Sequence, residues 1–325
     1  MKTFTITEAE HDLRIDKFLR RYFASLPLST VYKLLRKKTI KVNNKKADEK
    51  YLLQKGDTVE VFLSEESLGK IETESKERRE RNLAIVKPTF EVLFEDESIL
   101  VVNKPGDIAV HSGTSVGINT LINQILTYLH YKGEGFKPAL AHRLDMQTSG
   151  IILVGKTREA LLSLNAQIKD REVQKYYLAL AQGMLEKKEG TIKVALKRNY
   201  HSEKKFKVTK AEEGEDSQEA VTKYKIEKEW KNKFTLLRLQ LITGRTHQIR
   251  AHLATIGHPI IGDSSYGNFN SNHEIQRETG LKRQFLHSTE MIFTHPITKK
   301  KMDIVCPLPK DLEKVLAWLN EKFAD

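Results

Sequence analysis

Only one cysteine, Cys306, occurs in this chain of 325 residues. It has no partner for an internal disulfide and cannot supply a cysteine-based zinc site, which suits a reducing compartment. No run of eighteen apolar residues is present, and the opening MKTFTITEAEHD lacks the apolar stretch of a secretory signal. The sequence therefore predicts a cytoplasmic protein without a membrane span. A Walker loop and a strand–GxGxxG–helix unit are both missing, so nucleotide-driven or dinucleotide chemistry has no visible site. HExxH is absent as well. The histidines that come closest to a ligand set are His247, His252 and His258, with Asp263 nearby. Their separations of five and six do not keep all three on one helix face, because five residues turn a side chain by about 140°. Neither a metal nor a cofactor is expected.

Positive charge is abundant. Lys and Arg number 55 against 43 Asp and Glu, giving +12 and favouring a polyanionic partner such as nucleic acid, although a basic solvated surface has the same composition. Hydrophobic residues make up 39%, enough for a core, and the length suits two domains. Residues 12–24 have the apolar spacing of an amphipathic helix through Ile15, Phe18 and Leu19. A second helix is expected from a Ser29 or Thr30 cap to about Lys38, burying Val31, Leu34 and Leu35. Lys33, Arg36, Lys37 and Lys38 are left for its other faces. A short strand over 39–42, an Asn43-Asn44 turn and a return through Lys45 and Lys46 form a hairpin, and 58–62 alternates like a half-buried strand. With Lys41, these cations make a surface suited to a phosphate backbone. The stretch from 64 to 88 is polar and mixed in charge, and is expected to be a linker. Its ERRER segment suits contact with phosphate but equally suits solvent. From residue 89 onwards strands and helices mix without regular alternation, predicting an α+β domain over 89–325. The small first domain is placed at 1–63.

Two segments of the larger domain carry chemistry. Ala141–Gly150 is polar and turn-like and runs into the apolar strand Ile151–Val154, after which Thr157 is placed to cap a helix. Asp145 is thus held beside a core strand yet within reach of a substrate, although a carboxylate in a loop more often caps a turn. The second segment, TGRTHQIRAH from Thr243, follows a strand over 236–242 and reads as strand, turn and helix, with Gly244 giving the turn, Thr246 a cap and Gly257 the end. An arginine beside a carboxylate favours its charged form and fixes its geometry. Arg143, Arg245 and Arg250 all qualify, and all equally suit phosphate.

Taken together and in order, FEDESILVVNKP, HRLDMQTSGIILVGK, VQKYYLALAQG, TGRTHQIRAHLATIGHPIIGDSSYG and FLHSTEMIFTHPITKK resemble the RluA family of pseudouridine synthases over nearly the whole chain. RIDKFLRRYF, LSTVYKLLRKKTIKVNNKKA and YLLQKGDTVEV resemble an RNA-binding domain found in a small-subunit ribosomal protein and in RNA-modifying enzymes. The resemblance implies an α+β catalytic domain with a mixed, mainly antiparallel central sheet flanked by helices and loops. It implies cofactor-free isomerisation of uridine in RNA, with Asp145 as the catalytic aspartate and Arg250 paired to it. Arg143 would fill the space left by an extruded base, and Tyr177, rather than Tyr176, would stack on the uracil. Arg245 and His247 are assigned to the turn or to phosphate. Within the family the N-terminal domain, GHPIIGDSSYG and the ending most resemble the branch that acts on large-subunit ribosomal RNA. Naked RNA and an assembly intermediate both stay open as its form, and a monomer is the default expectation. One departure is visible: NKPGDIAVHSG puts its glycine directly after proline, one residue earlier than usual, leaving the local turn unexplained. Two other classes are carried alongside. A non-catalytic RNA-binding or assembly factor explains the charge but not the motif set, and a metal-dependent hydrolase would rest on the histidines alone.

Overall fold

In the computed structural model, residues 1–23, 25–82, 86–111, 117–132, 135–202, 205–211, 217–231 and 233–323 are described. They form two compact units, Met1–Lys87 with Ile125–Lys137, and Pro88–Gln124 with Pro138–Asp325.

The first unit pairs four antiparallel strands in the order Lys2–Thr5, Thr58–Val61, Ile40–Val42, Lys45–Lys46. Helices Ile15–Tyr22 and Leu28–Arg36 bury Ile15, Phe18, Leu19, Val31 and Leu35 in one cluster with Val59 and Val61. The second helix starts slightly earlier than a Ser29 or Thr30 cap implies. Pro27 precedes it, and its carbonyl accepts the N–H groups of Thr30 and Val31. Proline needs no amide partner there, which suits a helix start. Asn43 and Asn44 both adopt positive φ, as the tight hairpin between the two lysine-bearing strands requires.

The charged stretch expected as a linker is a helix, Glu65–Asn82. Leu68 and Ile71, one turn apart, pack on the core of the first unit. Ser75 is fully buried and its hydroxyl accepts the N–H of Ser25 at 3.0 Å, while Lys2 pairs with Glu72. Three well-placed residues thus anchor a helix whose composition argues for solvent.

The second unit is built on one large sheet in the order Glu189–Lys193, Val221–Trp230, Phe234–Leu241, Gln174–Gln182, Leu286–Thr294, Ser149–Gly155, Ile99–Lys104, Glu91–Glu95. All its ladders are antiparallel except one, where Leu286–Thr294 runs parallel to Ser149–Gly155. The sheet is mixed and mainly antiparallel, and the α+β class follows. Ser149–Gly155 is buried at every position, as a central strand covered on both faces should be. The helix Arg158–Lys169 covers one face with Ala160 and Leu164, and Thr157 caps it by accepting the Ala160 N–H at 3.2 Å. A separate hairpin, Leu196–Ser202 with Lys205–Lys210, stands off the main sheet.

Candidate active site

Asp145 lies in the turn just before the central strand. Its own carbonyl accepts the N–H of Thr148 at 3.1 Å, closing the turn. Behind it the chain must pass Ser288 closely. A Cβ on Gly150 would stand 2.2 Å from the Ser288 carbonyl oxygen, and Gly150 has φ +114. Only glycine fits at this point, which explains why TSG follows the aspartate.

Arg250 comes from the helix Gln248–Thr255 and reaches both carboxylates of the site. It donates to Asp145 Oδ2 from Nη1 at 2.9 Å, and grips Asp263 with Nε at 2.6 Å and Nη2 at 2.9 Å. Asp263 is fully buried and also accepts the N–H groups of Ser265 and Tyr266. Burial opposes charge on both partners, but their contact outweighs it: Arg250 is held above its ordinary pKa and Asp263 below. Asp263, weighed in the sequence only as a neighbour of histidines, is therefore the group that aims Arg250. The second oxygen of Asp145, Oδ1, receives no hydrogen bond among the described residues, and the side chain remains one-fifth exposed.

His247 precedes the helix in a left-handed conformation, φ 54, rare for a residue with a side chain. Thr246 does not cap this helix. The backbone twist brings His247 Nε2 to 3.8 Å from Asp145 Oδ2 and Nδ1 to 3.1 Å from the Tyr266 hydroxyl. Burial lowers the His247 pKa, against the pull of Asp145. Gln248 locks the turn, accepting from Thr243 and the Arg245 amide and donating to Val221 and Thr222. The histidines do not converge. His252 turns to Thr222 and the Val194 carbonyl, and His258 to the Gln182 carbonyl.

Tyr177 and Tyr176 point to opposite faces of their strand, as the pleat demands. Tyr177 is 4% exposed and lines the cleft with Asp145, and burial raises its pKa. Tyr176 stacks on Arg238 at 4.8 Å instead, with its hydroxyl bonded to Gln174. The cleft, with about 390 Å³ of open space, is lined by Arg143, Asp145, Tyr177, Arg245, His247 and Arg250, with Leu144, Leu241 and Leu286 as its apolar wall. Arg143 and Arg245 are exposed. Arg245 Nε donates to the Glu219 carbonyl at 3.1 Å.

Two buried cations that the motifs do not assign hold the segment after Asp145. Lys104 is fully buried and donates to the carbonyls of Pro105, Ile108 and Met146 at 2.8, 3.0 and 2.8 Å. Burial, aided by Arg283, pulls its pKa down to about 7. Arg283 donates to the Gln147 carbonyl at 3.0 Å and forks onto Asp311 at 2.6 and 3.0 Å. Its side chain passes directly over Gly106, where a Cβ would sit 2.5 Å from it. This explains the displaced glycine in NKPGD. Position 106 must be bare for Arg283, and the left-handed position falls on Asp107, φ 64, a residue type that tolerates it. A lysine before a proline is the only signal the sequence gives for Lys104.

In the first unit Lys33, Arg36, Lys37, Lys38, Lys45 and Lys46 are exposed, while Lys41 is half-buried, 5.0 Å over the Phe62 ring.

A mixed sheet carries an aspartate–arginine–aspartate chain at its cleft, and by its relatives the chain belongs to the RNA pseudouridylate synthase family. That family's profile matches residues 98–255, and the S4 domain profile matches residues 13–59. Over 323 residues, 99% of this chain and 98% of the relative, it is 36% identical to ribosomal large subunit pseudouridine synthase C of Salmonella typhi. The protein of the same name from Escherichia coli K12 is 35% identical over 321 residues, covering 98% of this chain and 97% of the relative. Among solved structures, human RNA pseudouridylate synthase domain containing 1 aligns with a TM-score of 0.56 at 25% identity, covering 68% of this chain and 84% of that one. The human domain containing 4 protein aligns at 0.57 and 24% identity, covering 70% and 92%, and supports the fold. The chain is an RNA pseudouridine synthase with an S4 domain and an RNA substrate. Among the described residues no helix is long and apolar enough to cross a membrane.

Proposed function

We propose that this enzyme converts specific uridines of large-subunit ribosomal RNA to pseudouridine, with Asp145 as the catalytic carboxylate. The reading rests on one observation above others: Asp145 keeps one oxygen bound to Arg250 and the other without a donor among the described residues, at a cleft also lined by Tyr177. Arg250, itself fixed by Asp263, sets the direction of the free oxygen in advance. The reaction breaks the bond between ribose C1′ and N1, turns the uracil and joins C1′ to C5; C5 gives up its proton to solvent and N1 takes one up, so atoms and charge balance. Nothing is oxidised or consumed, so no cofactor is called for.

Stacked RNA does not present these atoms, so the target nucleotide enters the cleft by flipping, at a cost of a few kcal/mol. Arg143, exposed and two residues from Asp145, fills the place the base leaves. Tyr177 stacks on the detached uracil, and burial of its hydroxyl suits a neutral ring in that role. Arg245 and His247 steady the turn and the neighbouring phosphate. Residues 1–63, with Lys33, Arg36, Lys37, Lys38, Lys41, Lys45 and Lys46, bind the RNA backbone. The substrate follows from near full-length likeness to enzymes named for the large ribosomal subunit. We place the enzyme in the cytoplasm, as a monomer acting on free ribosomal RNA or an assembly intermediate.

Pseudouridine mapping in ribosomal RNA from cells with and without the protein tests this. Loss at defined large-subunit positions is expected, and loss confined to transfer RNA would overturn the substrate.

A further inference from the structure

Lys175 is a buried cation that the mechanism above does not use. It is 9% exposed, and it forms neither a hydrogen bond nor an ion pair among the described residues. The other buried cations of this unit differ from it: Lys104 has three carbonyls, Arg250 two carboxylates and Arg283 a carboxylate and two carbonyls. Its stem is buried while the ammonium keeps a small opening to solvent, so an acceptor that the protein does not provide can come from a ligand.

Its position indicates where that ligand would come from. Lys175 lies two residues before Tyr177 on the same strand, so both side chains leave the same face of the sheet. Its Nζ stands 4.0 Å from the point a Cβ on Gly244 would occupy, and its charge is felt at His142, whose pKa burial and Lys175 together press to about 3. Gly244 is exposed and precedes Arg245, and His142 precedes Arg143. The ammonium therefore sits between the two loops that carry the exposed arginines of the cleft. Gly244 offers no side chain to cover it.

We infer that Lys175 binds a phosphodiester oxygen of the RNA beside the target nucleotide, completing a cationic rim with Arg143 and Arg245. This rests on the proposed RNA reading of the cleft. The phosphate supplies the acceptor that the protein withholds, and Lys175 contributes equally before and during reaction, so it acts on binding rather than on turnover.

The test uses the full chain as wild type, Lys175→Met, Lys175→Arg and Gly244→Val, with a large-subunit ribosomal RNA transcript carrying tritium at uracil C5. Filter binding over a salt series should show weaker binding for Lys175→Met, by about tenfold at low salt, with the log–log salt slope reduced by about 0.7–0.9, one phosphate's worth. Lys175→Arg should keep the slope, and Gly244→Val should lower affinity by covering the ammonium. In tritium release Lys175→Met should raise KM and leave kcat unchanged, and its Tm should equal or exceed that of wild type. An unchanged slope and KM, a fall in kcat alone, or a markedly lower Tm would overturn the inference and make Lys175 structural or catalytic. Filter binding needs no turnover, so a wild-type protein that binds the transcript but releases no tritium sinks the isomerase reading separately.

Discussion

The two units use positive charge in opposite ways. In the first, Lys33, Arg36, Lys37, Lys38, Lys45 and Lys46 stand exposed around a small apolar core. In the second, Arg250, Arg283 and Lys104 are buried and each is tied to fixed oxygens. Exposed cations cost the fold little, move freely and meet any phosphate, so they supply affinity without direction. Buried cations are expensive to create but hold an oxygen or a carbonyl in one place, so they supply geometry. On the proposed function, one chain thus separates holding RNA from positioning a carboxylate.

Breaking the buried side should do the most damage. Arg250→Met leaves Asp263 buried without its partner, and should cost about 3–5 kcal/mol of stability as well as nearly all turnover. Arg250→Lys should recover much of the stability but little activity, because an ammonium cannot fork onto Asp263 and still reach Asp145. Denaturant midpoints and tritium release check both. A stable, active Arg250→Met variant would erase the contrast between the units.

A second prediction sharpens the same contrast through pH. His287 is fully buried, with Nδ1 accepting from Ser149 at 3.0 Å and Nε2 donating to the Cys306 carbonyl at 3.2 Å. Burial pushes its pKa down to about 4. Between about pH 6.5 and about 4 the unfolded ring takes up a proton that the folded ring refuses. Stability should therefore fall as pH drops through that window, by about 3 kcal/mol from this group. His287→Gln should flatten the loss in denaturation curves recorded from pH 7 to 4. An identical slope in the variant would show that the ring carries none of it.

The exposed side should give the smallest effect on the fold. Lys37→Ala with Lys38→Ala should change stability by no more than about 0.5 kcal/mol. It should weaken RNA binding across unrelated sequences and lower the salt slope by about 0.7–0.9 for each phosphate no longer neutralised. A sequence-dependent effect would mean that these lysines read bases.

What can be read from the sequence follows the same division. Helices and hairpins of the first unit, and the Thr157 cap of the second, depend on local spacing and turn residues. Ile15–Tyr22 and the Asn43-Asn44 hairpin are therefore visible in short windows. The roles proposed for Asp145, Arg250 and Tyr177 come from the motif set, since nothing in a lone HRLD loop distinguishes a catalytic aspartate from a turn cap. The role of Asp263 is not, because it acts through Arg250 thirteen residues away in a fold no local pattern specifies. Lys104 and Arg283 are hidden for the same reason: a lysine or arginine in a charged chain reads as surface until distant carbonyls are seen around it. The helix Glu65–Asn82 escapes notice because its polar composition outweighs Leu68, Ile71 and Ser75 in any average.

Asp145→Asn tests the central claim most directly, because the amide keeps the shape of the side chain while removing its charge. With ribosomal RNA labelled at uracil C5, wild-type protein should release tritium. The variant should bind the same RNA with unchanged affinity and lose about 10⁴-fold or more of the rate. Appreciable release by the Asn variant would contradict the account.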